Sequence, residues 1–212
     1  KQKNIAENKA SDYLRKLNSK LEDLVASRTA TLEKANSDLA LLASQDSLTG
    51  LLNHRSSINQ VSKALNEANR YNISIAVIMI DLDNFKLLND QYGHQVGDEA
   101  IVSVSQVLRS NLRDTDSCGR YGGEEFILII TRTDLDEVNQ LAERLKSNIA
   151  EIHLSQTPDA NVTASFGIAM CLSTQCEEYT TDSLISAADS ALYKAKLSGR
   201  NKICFTPSNQ MV

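Results

Sequence analysis

The apolar positions follow two different rhythms that meet near Ala43. From about Ile5 to Ala43 the chain has no Gly and no Pro. Its Leu, Ala, Lys, Glu and Asn residues mostly tolerate or favour helix. Leu14, Leu17, Leu21 and Leu24 are spaced 3-4-3, and Leu32, Ala35, Leu39 and Leu42 repeat that spacing. Steps of four through Arg28 join the two runs, which is a stutter in a heptad register. The pattern predicts a parallel coiled coil over residues 1–43. A helix of ~39 residues is ~58 Å long, too long to lie on one small domain. An amphipathic helix folded back on the globule is the alternative.

After Ala43 the rhythm alternates. Asp46-Ser47-Leu48-Thr49-Gly50-Leu51 breaks the helix, with Asp46 or Ser47 as a candidate cap and Gly50 ending the register. A helix is expected from Asn53 to Asn69. The apolar, β-branched run Ile73 to Leu82 reads as a buried central strand. A helix follows from Val96 to Leu112. Short strands near Ser117 to Tyr121 and Glu125 to Thr131 form a hairpin around Gly122-Gly123. Then come a helix Leu135 to Ile152, a strand Val162 to Cys171, a helix Ser183 to Ser198 and a strand Lys202 to Phe205. The expected fold over residues 44–212 is a mixed α/β sheet with helices on its faces.

Composition narrows the picture modestly. The 212 residues suit one domain plus an appendage. The net charge of −5 disfavours a general nucleic-acid binder, so no nucleic-acid polymer is expected as partner, and a nucleotide would need a local site. Cys118, Cys171, Cys176 and Cys204 form no CxxC pair. They read as small buried thiols in a reducing cytoplasm, not as a zinc or disulfide framework. No stretch approaches a membrane span. The chain begins at Lys1, not Met, which reads as a piece of a longer protein with an upstream sensor.

The chemistry-bearing residues come in groups. Asp81 to Lys86 (DLDNFK) ends the buried strand, where ligands bind in open α/β sheets. Glu124-Glu125 lies in the hairpin turn, and Asp98 follows Gly97. If strand and hairpin are neighbours, Asp81 and Glu124 converge. Two carboxylates ~4 Å apart repel by ~4 kcal/mol at an effective dielectric of ~20, and a hard cation such as Mg²⁺ or Mn²⁺ removes that penalty. Surface carboxylates at strand ends are the alternative. Gly122-Gly123 fits a positive-φ hairpin turn or a nucleotide lying across it. Lys86, Lys196 and Arg200 fit phosphate binding or a solvated helix end, and Lys196 and Arg200 share a helix face if the last helix persists. His94 sits in a loop before a helix. His54 and His153 read as surface or packing residues.

In combination these segments become specific. Asp46 to Leu51 (DSLTGL), Asp81 to Asp90 (DLDNFKLLND), Gly93-His94 with Gly97-Asp98, Arg120 to Phe126 (RYGGEEF), Ala164 to Gly167 (ASFG) and Asp189 to Asn201 (DSALYKAKLSGRN) occur in order. Together they resemble the GGDEF domain of bacterial diguanylate cyclases, in its GGEEF variant, over about residues 44 to 206. The resemblance implies a fold like the palm of nucleotidyl cyclases and polymerases, and condensation of two GTP into cyclic di-GMP.

It also implies roles. Asp81, the Leu82 carbonyl and Glu124 resemble the ligands of two Mg²⁺ (or Mn²⁺) ions per half-site. Glu124 resembles the base, with Glu125 assisting. Asn89 and Asp98 resemble the guanine-reading pair. Lys86, Lys196 and Arg200 resemble the phosphate contacts, with the N–H groups of Asn84 and Phe85. Gly123 and His94 resemble nucleotide contacts. Arg113 and Asp116, an RxxD pattern that alone would be a solvated charge cluster, resemble an inhibitory product site, with Arg144 reaching the same ligand. The implied assembly is a cytoplasmic homodimer joined by the N-terminal coiled coil. A silent domain that binds cyclic di-GMP or GTP as a receptor is the alternative. His54 stands where many members have Arg.

Overall fold

The computed structural model describes residues 20, 21, 24, 25, 27–29, 31, 44–155, 157, 160–173 and 176–206. The chain divides into two units, residues 1–43 and 44–212. In the first, Leu21, Leu24 and Val25 are helical and more than half exposed. Leu14, Leu17, Leu32, Ala35, Leu39 and Leu42, the rest of the expected coiled-coil seam, lie outside the described residues.

The second unit is an α/β/α sandwich. Its elements are α1 (His54–Tyr71), β1 (Ile75–Leu82), α2 (Phe85–Tyr92), α3 (His94–Ser110), β2 (Ser117–Arg120), β3 (Glu125–Thr131), α4 (Leu135–Ala150), β4 (Ala164–Cys171), a 3₁₀ turn (Cys176–Glu178), α5 (Thr181–Leu197) and β5 (Ile203–Phe205). The sheet order is β2-β3-β1-β4-β5. Neighbours are antiparallel except β4 and β5.

Every residue of β1 is buried, because helices cover both faces of this central strand. Side chains alternate between the faces. Ala76, Ile78, Ile80 and Leu82 join α3 and α4 in one core. Ile75, Val77 and Met79 join α1 and α5 in the other. The alternation carries Asp81 onto the α1–α5 side.

Several sequence expectations need correction. The Asp81–Asp90 stretch contains a separate helix, α2, which sequence reading missed because its apolar positions span only two turns. Gly93, at φ 87°, closes α2 and opens α3, a backbone state open to Gly at little cost. His94 is therefore the first residue of α3, not a loop residue. Asn53, not Asp46 or Ser47, caps α1, its side chain accepting from Ser56 N–H. Cys171 and Cys176 are joined as a disulfide with Cα atoms 5.2 Å apart, since the 3₁₀ turn folds back onto the end of β4. Cys118 stays a thiol, which burial pushes up to about 11 against the pull of Arg109.

Gly167 on β4 sets how closely α5 lies on the sheet. A Cβ there would collide with the main-chain nitrogen of Leu192 and the carbonyl of Ala188. Backbone atoms cannot swing aside as a side chain tip does. Gly167→Ala is expected to cost about 3 kcal/mol of stability, read as a lower urea midpoint at an unchanged m-value.

Candidate active site

The site grows from the end of β1. Asp81 is 7% exposed and stands opposite Glu125 of β3 and Ser165 of β4. Its carboxylate pairs with the Lys196 ammonium of α5 at 2.7 Å. Burial pushes the Asp81 carboxyl above its usual range, while Lys196 pulls it down.

The same register brings the hairpin turn alongside. Leu82 N–H donates to the Glu124 carbonyl at 3.3 Å. Glu124 and Glu125 are both raised above the usual carboxylate range, first by burial and then by the charge on Asp81. Lys196 opposes both shifts, and His54 opposes that of Glu125. The three acids thus form one electrostatic cluster.

Neither Gly122 nor Gly123 adopts positive φ, which corrects the turn expectation. Gly122 instead makes room for the Glu125 side chain, whose carboxylate a Cβ would strike. A Cβ on Gly123 would meet nothing within 4 Å, so that face of the turn is open.

Arg120 holds the turn from behind. Its Nε and Nη2 donate to the Gly123 carbonyl at 3.1 and 2.7 Å, and its Nη1 to both oxygens of Asp46 at 3.2 and 3.3 Å. Burial raises the Asp46 carboxyl, but the Thr49 hydrogen bonds and the Arg120 guanidinium outweigh it and hold it below the usual range. The DSLTGL turn and the GGEE turn are thereby fastened through one side chain, a link that sequence reading missed. The Arg in RYGGEEF was the available signal. His54 also belongs here, packed on the Tyr121 ring at 4.4 Å between centroids.

On the other side of β1, α2 and α3 meet at Asn89 and Gly97. A Cβ on Gly97 would strike the Asn89 side-chain amide oxygen, Oδ1, and lie 3.0 Å from the tip of Phe85. That buried Asn89 oxygen has no hydrogen-bond partner. An unpaired buried polar atom fits a binding position better than a packing role. Asp98, the next residue after the contact, is exposed, as are His94 and Lys86. Asn84 is left-handed, with φ 55° and no side-chain cap, and α2 starts at Phe85. The first N–H groups of a helix lack intrahelical acceptors and favour anions.

Two cation expectations change. Lys196 is in the last turn of α5, but the helix ends at Leu197 and Arg200 lies beyond it at φ 60°. The two therefore do not share a helix face. Lys196 meets Asp81 here, and Arg200 is exposed. Among the described residues, no three His, Cys, Asp or Glu side chains group to hold a metal ion. The expected set fits differently, with two carboxylates and a main-chain carbonyl at the strand end. These are hard oxygen donors whose mutual repulsion a divalent cation would relieve.

Arg113 and Asp116 line a groove of about 320 Å³ with Arg109, Cys118 and Leu51. Asp116 accepts from the main-chain N–H groups of Arg113 at 3.2 Å and Thr131 at 3.4 Å. The Arg113 guanidinium lies 3.6 Å from Glu137. Arg144 does not line the groove. It donates to the Asn111 side chain and carbonyl at 3.0 and 3.3 Å.

Comparison with known proteins bears on this arrangement. The family described as "Diguanylate cyclase, GGDEF domain" matches residues 43–202. The bifunctional diguanylate cyclase/cyclic di-GMP phosphodiesterase MucR of Pseudomonas aeruginosa is 35% identical over 91% of this chain and 28% of its own length. The probable diguanylate cyclase DgcC of Escherichia coli is 35% identical over 84% of this chain and 47% of its own. This chain thus spans less than half of either relative. The coiled coil and GGDEF domain of DgcB from Caulobacter crescentus, solved with c-di-GMP, superposes with a TM-score of 0.76 at 29% identity, covering 87% of this chain and 98% of that one.

The raised carboxyls carry a pH signature. A carboxyl raised in the folded state keeps its proton where the unfolded chain has lost it. Stability therefore falls as pH rises through that window. Glu124→Gln is expected to raise the melting temperature of the nucleotide-free chain at pH 7, with no gain near pH 3, where Glu is largely protonated in both states. Partial exposure screens the repulsion and keeps the gain to about 1–2 °C. Thermal melts at the two pH values check this.

Proposed function

This chain belongs to the GGDEF domain family of diguanylate cyclases, and on that footing we propose that it condenses two GTP into cyclic di-GMP, releasing two pyrophosphates. The observation that carries the reading is the acid cluster of Asp81, Glu124 and Glu125 at one sheet edge, faced by Lys196.

Asn89 and Asp98 hold the guanine. An Asp accepts from the N1–H and exocyclic amine together, a pattern that adenine lacks. Lys86, Lys196 and Arg200, with the N–H groups of Asn84 and Phe85, take the triphosphate, while His94 and Gly123 border the nucleotide. Asp81, the Leu82 carbonyl and Glu124 would hold two Mg²⁺ (or Mn²⁺) ions, which when bound would supply Lewis-acid polarisation of the α-phosphate and charge neutralisation for pyrophosphate. Glu124 accepts the proton of the attacking 3′-hydroxyl. Glu125 supports it from the adjoining position.

Each domain supplies one GTP half-site. A two-fold product calls for a two-fold dimer, and the exposed Leu21, Leu24 and Val25 suit the seam of an N-terminal coiled coil. Such a helix raises the effective concentration of one half-site for the other. Among the described residues no helix is long and apolar enough to cross a membrane; the cytoplasmic placement we propose rests on the proposed GTP substrate. Product binds back at the Arg113–Asp116 groove as an inhibitor. Arg144, held on Asn111, would have to leave that contact to join it.

Two experiments test this reading. Turnover of GTP with Mg²⁺ is expected to rise faster than linearly with protein concentration, and Glu124→Gln to lose at least ~100-fold in kcat. A Glu124→Gln chain of parental activity would refute the assigned base, whereas a dimeric parent that makes no cyclic di-GMP would favour a receptor. Arg113→Ala is expected to raise the cyclic di-GMP concentration for half-inhibition by about tenfold or more. Unchanged inhibition would remove the groove from the scheme.

A further inference from the structure

Asp83 is the second acid of the strand-end stretch, and the proposed chemistry makes no use of it. Its main-chain N–H donates to the Thr163 carbonyl at 2.8 Å. Its carboxylate is fully engaged. Oδ1 accepts from the Ser165 hydroxyl at 2.6 Å, and Oδ2 accepts from the Thr163 hydroxyl at 2.8 Å. Oδ2 also accepts from the main-chain N–H of Asn201 at 2.9 Å, 118 residues along the chain.

The first two hydroxyls belong to β4 or the residue before it, so they fasten strand to strand. The third contact reaches the loop after α5. That loop runs through Gly199, Arg200 and Asn201 at φ 114°, 60° and 47°. Two of these three carry a Cβ, for which left-handed backbone is disfavoured, so outside contacts have to hold it. Gly199 N–H and Arg200 N–H donate to the Lys196 and Ala195 carbonyls at 3.4 and 3.1 Å, back onto α5 itself. Lys202 bonds the Ser198 carbonyl, again within the same segment. The Lys202 carbonyl then accepts from Phe166 N–H at 2.8 Å, which leads into β5. Among these contacts, Asp83 to Asn201 is the one that ties the loop to the end of β1.

We infer that Asp83 is a positioning residue for the GTP triphosphate: by holding Asn201 it fixes Arg200, and the helix end carrying Lys196, against the strand end that carries Asp81. Asp83 also immediately precedes the left-handed Asn84 that opens α2. One residue therefore sets both sides of the phosphate position, the N–H groups on α2 and the cations at the end of α5. The inference rests on the phosphate roles proposed above.

Ionised Asp suits the position because its two oxygens accept all three donors and it has no donor of its own to satisfy. Asn retains the essential bond. Its oxygen still accepts from Asn201, and its amide donates to a hydroxyl that turns to receive it. Ala removes every side-chain contact.

The test is equilibrium binding of 3′-deoxy-GTP with Mg²⁺ to the full chain, since this nucleotide lacks the attacking hydroxyl and binds without turnover. Asp83→Ala is expected to weaken binding about tenfold and Asp83→Asn by no more than about twofold. The pair Thr163→Val/Ser165→Ala removes the inter-strand hydroxyls and leaves Asn201 held. It is expected to lower the urea midpoint yet keep affinity within about twofold of the parent. In an Arg200→Ala background, Asp83→Ala should add clearly less than the roughly tenfold it costs the parent, because part of its effect runs through Arg200 and the rest through Lys196 and α2. Asp83→Ser, too short for Asn201, replaces the Ala variant if that does not fold. Parental binding by Asp83→Ala, equal weakening by the Thr163/Ser165 pair, or multiplying losses with Arg200→Ala would each overturn the inference. If Arg200→Ala alone binds as the parent does, the phosphate assignment of Arg200 fails first and takes the inference with it.

Discussion

A carboxylate at the buried end of a central strand has to be answered by charge, and the rest of the site follows from how Asp81 is answered. Strand alternation puts Asp81 on the α1–α5 side, and burial makes its charge unfavourable there. Lys196 supplies the counter-charge at 2.7 Å. It reaches the spot because α5 lies hard against β4 at Gly167. The β1–β3 register then adds Glu124 and Glu125 to the same field. The cluster carries more negative charge than one ammonium balances, which is a suitable condition for taking up a nucleotide with its divalent cation.

Around this centre the fold works through fastenings between turns. Arg120 joins the Asp46 turn to the Gly123 carbonyl. Asp83 joins the end of β1 to the loop after α5. Gly97 lets α3 approach Asn89 until the amide oxygen is sealed without a partner. The first two use charged, partly buried groups, where a charge-assisted hydrogen bond contributes about 1.5–3 kcal/mol. Arg120 and Asp83 themselves are not among the groups assigned to chemistry. The turns that would touch nucleotide are thus held from behind, while Asp98, Lys86, Gly123 and Arg200 stay open to solvent.

In the proposed dimer the first unit would bear on activity by a different route. Leu21, Leu24 and Val25 leave an apolar helical face more than half exposed, and a second copy is the simplest cover for a heptad pattern. The proposed reaction needs two half-sites face to face, so the dimer seam and the chemistry would be coupled through Ser44 to Leu51. Arg120 bonds that segment at Asp46 and the Gly123 carbonyl together, which ties the turn at the start of the second unit to the β2–β3 hairpin.

The sequence by itself determined a great deal. Periodicity predicted the order of strands and long helices to within a few residues, because burial on one or two faces writes period 2 or 3.6 into the chain. Linked motifs pointed to the family and to Asp81, Glu124 and Lys196, which the fold brings into one electrostatic cluster. It missed α2, whose apolar face is too short to register. It left open whether the last helix persists far enough to put Arg200 on the face of Lys196, which it does not, and it did not pair Cys171 with Cys176. Only the tertiary structure decided that Lys196 answers Asp81, that Arg120 holds both turns, and that Asp83 reaches Asn201. The reason is physical. Those contacts join residues far apart in the chain, and local spacing carries no information about which distant charge will neutralise a buried one.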